Sequence, residues 1–226
     1  MIFKVANVDE LSLLINFNKK LFPKRNMIRE SISYRFIKNP FAKGLDSIIC
    51  VDDGKIVGQF LLMPCQFKFK NEIHKSYWGM DYITSIETRR TAVGSILCMK
   101  AIKEKIHFGV GLSPISLKIH KALKEKDIGA VNKYLKINFS LNVLKSIFYK
   151  KNNFYPPKIS FNDKNFFLVK DPGEIKSSDG YWGKNELEFS RNEKFLKWRF
   201  FYYEDKYILY RLKNEDKNSV YSVSYT

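Results

Sequence analysis

Asp81-Tyr-Ile-Thr-Ser-Ile-Glu-Thr-Arg-Arg-Thr-Ala-Val-Gly-Ser-Ile-Leu97 is the stretch that decides the fold. Up to Thr84 it reads as a strand. A short loop carries Arg89 and Arg90. From Val93 the apolar spacing becomes helical, and this helix opens on small residues. A helix N-terminus presents unpaired N–H groups and a partial positive charge. Small residues there let an anion approach the main chain, and the two guanidinium groups can supplement the site. Strand, arginine loop and helix together therefore point to an anion-binding turn.

The same order extends to either side. Ile2 to Ala6 suits a strand, and Asp9 is expected to cap a helix bearing Leu11, Leu14, Ile15, Phe17 and Leu21. A second helix is expected from Met27 to Lys38, stopped by Asn39-Pro40. Asp53-Gly54 between two apolar runs is a hairpin signal. Phe108 to Leu112 reads as a short strand and Ser113-Pro114 as a helix start, with Ile128 to Asn138 as a last strand. This order predicts an α/β layered fold with a mixed, mostly antiparallel sheet flanked by helices.

Composition narrows the classes. The chain has 226 residues, 45% hydrophobic and 15% aromatic, enough for a substantial core. No run approaches the roughly 18–20 apolar residues of a membrane span, and the first residues lack a signal-peptide pattern; a cytoplasmic address is expected. Cys50, Cys65 and Cys98 are far apart and lack paired spacing, so reduced buried thiols are expected, with neither disulfides nor a metal site. Net charge is +17, but only eight of forty basic residues are Arg, and no basic run exceeds two. Phosphate and base recognition favours clustered Arg. Nucleic-acid binding is therefore not expected as the main function, although the positive field would attract anionic ligands.

Past Tyr149 the texture changes. Residues 149–184 are rich in turn formers and read as a linker or irregular connection. Residues 185–226 carry a helix at about Asn192–Phe200 and a hairpin. Lys197-Trp-Arg-Phe200 before this hairpin echoes Ser33-Tyr-Arg-Phe36 before the earlier one. Residues 1–148 are thus expected as one domain and 185–226 as a partial second copy, unless the chain is a fragment.

The loop Arg89-Arg90-Thr91-Ala92-Val93-Gly94 resembles the acyl-CoA loop of the GNAT N-acetyltransferases, written Arg/Gln-x-x-Gly-x-Gly/Ala. Ala92 stands at the first glycine. Downstream, the positions of the family's Asn-x-x-Ala-x-x-Leu-Tyr are held by Ser113, Ser116, Ile119 and His120, each a departure, and Lys124-Glu125 stands where Gly-Phe would follow. The combination with a half-copy resembles bacterial two-unit GNAT-like proteins. The resemblance implies acetyl transfer from acetyl-CoA to a small amine or amino sugar, without a metal. It implies that Thr84, Ser85, Arg89, Arg90, Thr91, Ala92, Val93, Gly94, Ser95 and Ser113 hold the cosubstrate. His120, at the Tyr position, would protonate the leaving thiolate, and Asp81 would steer or deprotonate the amine. A homodimer is left open. Three other readings also stay open: a GNAT-like scaffold without turnover, a basic nucleic-acid binder, and an aminoacyl-tRNA-dependent transferase built on paired units.

Overall fold

The computed structural model describes residues 1–70, 72–127, 129, 166–169, 187–189, 192–202, 207–212 and 221–225. They belong to two compact units, one of residues 1–126 with 179–198, the other of 127–178 with 199–226.

The first unit is built on a sheet in the order β1 (Ile2–Val5), β2 (Ile48–Asp52), β3 (Lys55–Phe69), β4 (Glu72–Thr84) and β5 (His107–Gly109). Neighbours are antiparallel except β4 and β5, which run parallel. The turn between β2 and β3 has positive φ at Asp53 (46°) and Gly54 (68°). That is the twist a two-residue hairpin demands, and Asp-Gly supplies it at low cost.

Helices cover both faces. On one face lie α1 (Leu11–Leu21) and α2 (Ile28–Ile32), the latter continued by a π turn over Ser33–Ile37. Leu14, Phe36, Leu45, Ile49 and Leu61 form their shared core. On the other face are α3 (Val93–Glu104) and α4 (Pro114–Ala122). There Ile48, Phe60, Leu62, Tyr77, Leu97 and Ala101 pack together, with Ile119 against them. Successive residues of β2 and β3 alternate between the two cores, as a sheet buried on both faces requires. The expected α/β layered, mostly antiparallel fold is therefore present.

The cap of the first helical segment differs from expectation. Asn7, not Asp9, takes it: Asp9 N–H donates to Asn7 Oδ1 (3.0 Å), and Asn7 N–H donates to Glu10 Oε2 (2.9 Å). The reciprocal pair satisfies two free donors, and Asp9 alone could satisfy only one.

Four further strands and a helix follow in sequence among the described residues: β6 (Phe166–Val169), β7 (Leu187–Phe189), α5 (Glu193–Phe201), then β8 (Tyr207–Leu212) and β9 (Tyr221–Tyr225). In the first unit, β7 adds antiparallel to Phe67–Phe69 of β3. Phe189 packs on Trp78, with ring centroids 4.4 Å apart. Trp198 stacks on Tyr34 at 4.5 Å. The contact is reciprocal: Trp198 Nε1–H donates to the Tyr34 carbonyl (3.1 Å) and Tyr34 O–H to the Trp198 carbonyl (3.5 Å). These are the matching positions of the two echoed motifs. In the second unit β6, β8 and β9 form an antiparallel sheet. The last strand expected at 128–138 and most of 149–184 lie outside the described residues. Among the described residues, no helix is long and apolar enough to cross a membrane.

The glycine at 58 sets how closely α3 docks. A Cβ there would lie 2.8 Å from Leu97 Cδ1 and 3.1 Å from Val93 Cγ1. Gly58→Val is expected to destabilise the fold by about 1–3 kcal/mol through overpacking, read as a lower urea midpoint.

Candidate functional site

Two features of β4 shape the site. The first is a bulge. Gln59 of β3 faces Ile83, but Leu61 faces Met80, so Asp81 and Tyr82 both oppose Phe60. Asp81 takes φ 42°, a left-handed conformation that costs energy unless its surroundings impose it. They do. Gln59 Nε2 donates to the Asp81 carbonyl (3.2 Å) and to Asn18 Oδ1 (3.2 Å), and Asn18 Nδ2 donates to Gln59 Oε1 (2.7 Å). Gln59 and Asn18 are fully buried, so each needs its partner. The second feature is divergence. β5 pairs with β4 only over Tyr77–Gly79, and among the described residues nothing pairs with Met80–Thr84 on that side.

The loop that leaves β4 is tightly laced. Ser85 N–H donates to the Val57 carbonyl (2.8 Å), as does Thr88 Oγ1 (3.1 Å). Thr91 Oγ1 donates to the Thr88 carbonyl (2.8 Å) and accepts from Val93 N–H (3.3 Å). Ala92 is the N-cap of α3 with φ −72° and ψ −3°. At that conformation a Cβ is comfortable, so alanine in place of the first glycine carries no backbone strain. Ala92 has no side-chain cap to offer. Among the described residues nothing accepts from Gly94 or Ser95 N–H. Arg89 and Arg90 are exposed, and among the described residues neither has an ion-pair partner. The turn thus combines open main-chain donors, a helix N-terminus and two free guanidinium groups, an arrangement suited to a phosphate. Thr84, Ser85 and Arg89 to Ser95 therefore come together in space. Ser113 lies elsewhere, as the N-cap of α4, accepting from Ser116 N–H at 3.2 Å.

Asp81 and His120 lie on opposite faces of the sheet. Asp81 accepts from Arg25 Nη1 at 3.3 Å and lines a small cleft with Asn18, Arg25, Ser31, Arg35 and Phe36. His120 is 5% exposed beneath α3 and α4. Its Nδ1 is bonded to Glu125, and Cys98 Sγ lies 3.7 Å from Nδ1 and 3.8 Å from Nε2. Glu125 gets there because Lys124 adopts φ 62°, which ends α4 and turns the next residue back under it. His107 Nε2 lies 3.2 Å from Glu125 Oε1, but out of line for a hydrogen bond, so this buried nitrogen is unpartnered.

Two residues of interest gave no motif signal. Glu125 stands where the family's Gly-Phe would follow the helix, and Tyr82 is one aromatic among several on β4. The Tyr82 hydroxyl is buried without a partner, and a Cβ on Gly94 would lie 3.1 Å from it. Burial, reinforced by Cys98, pushes its ionisation well above the usual tyrosine range. The three thiols are free and buried. Burial raises Cys65 to about 11 and, with Glu125 nearby, Cys98 to about 12. Neither is a nucleophile at neutral pH.

No family model and no curated protein matches the chain. Solved structures do. An aminoglycoside antibiotic 6'-N-acetyltransferase from Acinetobacter haemolyticus is 15% identical with a TM-score of 0.44, covering 62% of this chain and 100% of its own. A predicted acetyltransferase with acetyl-CoA from Clostridium acetobutylicum is 14% identical, TM-score 0.43, covering 61% and 95%. An acetyltransferase from Trypanosoma brucei is 17% identical, TM-score 0.43, covering 61% and 99%.

The bulge yields a direct test. Gln59→Leu strands the Asn18 amide and the Asp81 carbonyl. It is expected to cost about 1–3 kcal/mol in urea unfolding, against a negligible change for Lys55→Gln on the same strand.

Proposed function

We propose that this chain is a GNAT-type N-acyltransferase that moves an acetyl group from acetyl-CoA to a small amine or amino sugar. The observation that carries the reading is the β4–α3 turn, where free arginines and open N–H groups converge at the point where β4 parts from β5. Arg89, Arg90 and the main chain of Thr91 to Ser95 would hold the pyrophosphate. The pantetheine arm would run into the opening beside Thr84 and Ser85, whose backbone lines it.

The acceptor would enter from the α1–α2 face. Its nitrogen must be neutral to attack, and the Asp81 carboxylate is the group on that face able to take the proton. The amine then adds to the thioester carbon, the carbonyl oxygen gains charge, and the C–S bond breaks as the carbonyl reforms. The departing thiolate needs a proton. His120 is the residue the resemblance suggests, but it is buried and already bonded to Glu125. Tyr82, on the same face, offers a hydroxyl beside Gly94 with no partner among the described residues and would hydrogen-bond the thiolate. A cytoplasmic address and a two-unit architecture belong to the same proposal. The reciprocal Tyr34–Trp198 contact, at matching positions of the echoed motifs, supports the second of these. The burial of His120 favours one rival, a GNAT-like scaffold that binds CoA without turnover.

Calorimetric titration of acetyl-CoA tests the proposal. Wild type is expected to bind in the micromolar range. Arg89→Ala/Arg90→Ala is expected to bind at least about tenfold more weakly, the loss of two charge-assisted contacts. Absence of binding to folded wild type would refute both the enzyme and the scaffold reading. Binding without turnover across a panel of amines would leave the scaffold.

A further inference from the structure

Cys98, His120 and Glu125 come from the middle of α3, the last turn of α4 and the turn after it. Cys98 and His120 are buried and Glu125 is partly buried, and their donor atoms all lie within 4.8 Å of one another. His107, from β5, adds a nitrogen that is almost fully enclosed, unpartnered, and 3.2 Å from Glu125 Oε1. We propose that these residues form a binding site for a divalent ion of the zinc class, with Cys98, His120 and Glu125 as ligands and His107 beside them, against Glu125.

Three arguments carry it. The donor set is one sulfur, one imidazole nitrogen and one carboxylate oxygen, the chemistry that borderline-soft ions select over calcium or magnesium. The spacing also fits. Bond lengths of about 2.0–2.3 Å in a tetrahedron put neighbouring donors about 3.3–3.6 Å apart. Here Cys98 Sγ lies 3.8 Å from His120 Nε2, near that spacing, while Glu125 is bonded to the other ring nitrogen and would leave that bond on ligating the ion. Finally, His107 Nε2 is buried without a hydrogen-bond partner among the described residues, 3.2 Å from Glu125 Oε1, while Nδ1 lies 3.1 Å from the Lys105 carbonyl. A buried polar nitrogen without a partner is accounted for by an ion bound beside it. On binding, the Cys98 thiol would release its proton to solvent and ligate as thiolate.

The inference is independent of acyl transfer, and its readouts do not involve activity. The full chain, stripped with a chelator and desalted, is titrated with cobalt(II) and separately with zinc(II). The proposal expects one equivalent bound, a thiolate-to-cobalt charge-transfer band, and a rise in Tm on zinc addition. Cys98→Ser, nearly isosteric, should abolish the band, and His107→Gln should weaken zinc binding by about 10–100-fold. Folded wild type that takes up no ion, or a cobalt spectrum that survives unchanged in Cys98→Ser, would overturn it.

Discussion

A buried pair of amides holds the site together. Asn18 of α1 and Gln59 of β3 bond to each other, and Gln59 also grips the Asp81 carbonyl. In the apolar interior neither amide can turn to water, so the pair works as a pin with a fixed length. The pin forces β4 to bulge at Asp81, and the bulge exchanges which side chains face which way. Before it, Tyr77 points toward α3; after it, Tyr82 and Thr84 do. Without the extra residue, Asp81 would lose its place facing the α1–α2 cleft, and Tyr82 would leave the wall next to Gly94.

The rest of the turn follows from close packing. Gly58 lets α3 settle directly onto β3, with Leu97 and Val93 against the bare backbone. Thr88 and Ser85 tie the loop to Val57 on that same strand. The first turn of α3 is therefore held from both sides while its donors face outward. The anion site proposed there needs rigid N–H groups more than it needs a particular side chain, and Ala92 at a helical φ, φ −72°, is compatible with that.

What was legible in the sequence was local. Asp53-Gly54, the Arg89-Arg90 loop and Ser113-Pro114 each declare their conformation within a few residues, and each appears where it was read. The Asn7 cap was harder, because Asp9 offers the same chemistry two residues later and only the reciprocal bond with Glu10 separates them. The bulge was not legible. It depends on Asn18 and Gln59, 41 residues apart, and nothing in the alternation of β4 announces the extra residue. The return of Glu125 beneath α4 depends on a left-handed Lys124, a conformation lysine does not advertise. The Cys98–His120–Glu125 cluster was hidden for the same reason: its donors share no spacing motif, only a place in three dimensions. Likewise β7 joins β3 by pairing Leu187 with Phe69, far apart in sequence, a pairing that short strand-like composition could not assign.

Hydrogen–deuterium exchange with and without saturating acetyl-CoA tests the central claim, that the β4–α3 turn is a cosubstrate site. The account predicts slower exchange in peptides spanning residues 84–97, with no change over the hairpin of β2. Unchanged exchange over 84–97 at a concentration where acetyl-CoA is bound would contradict it.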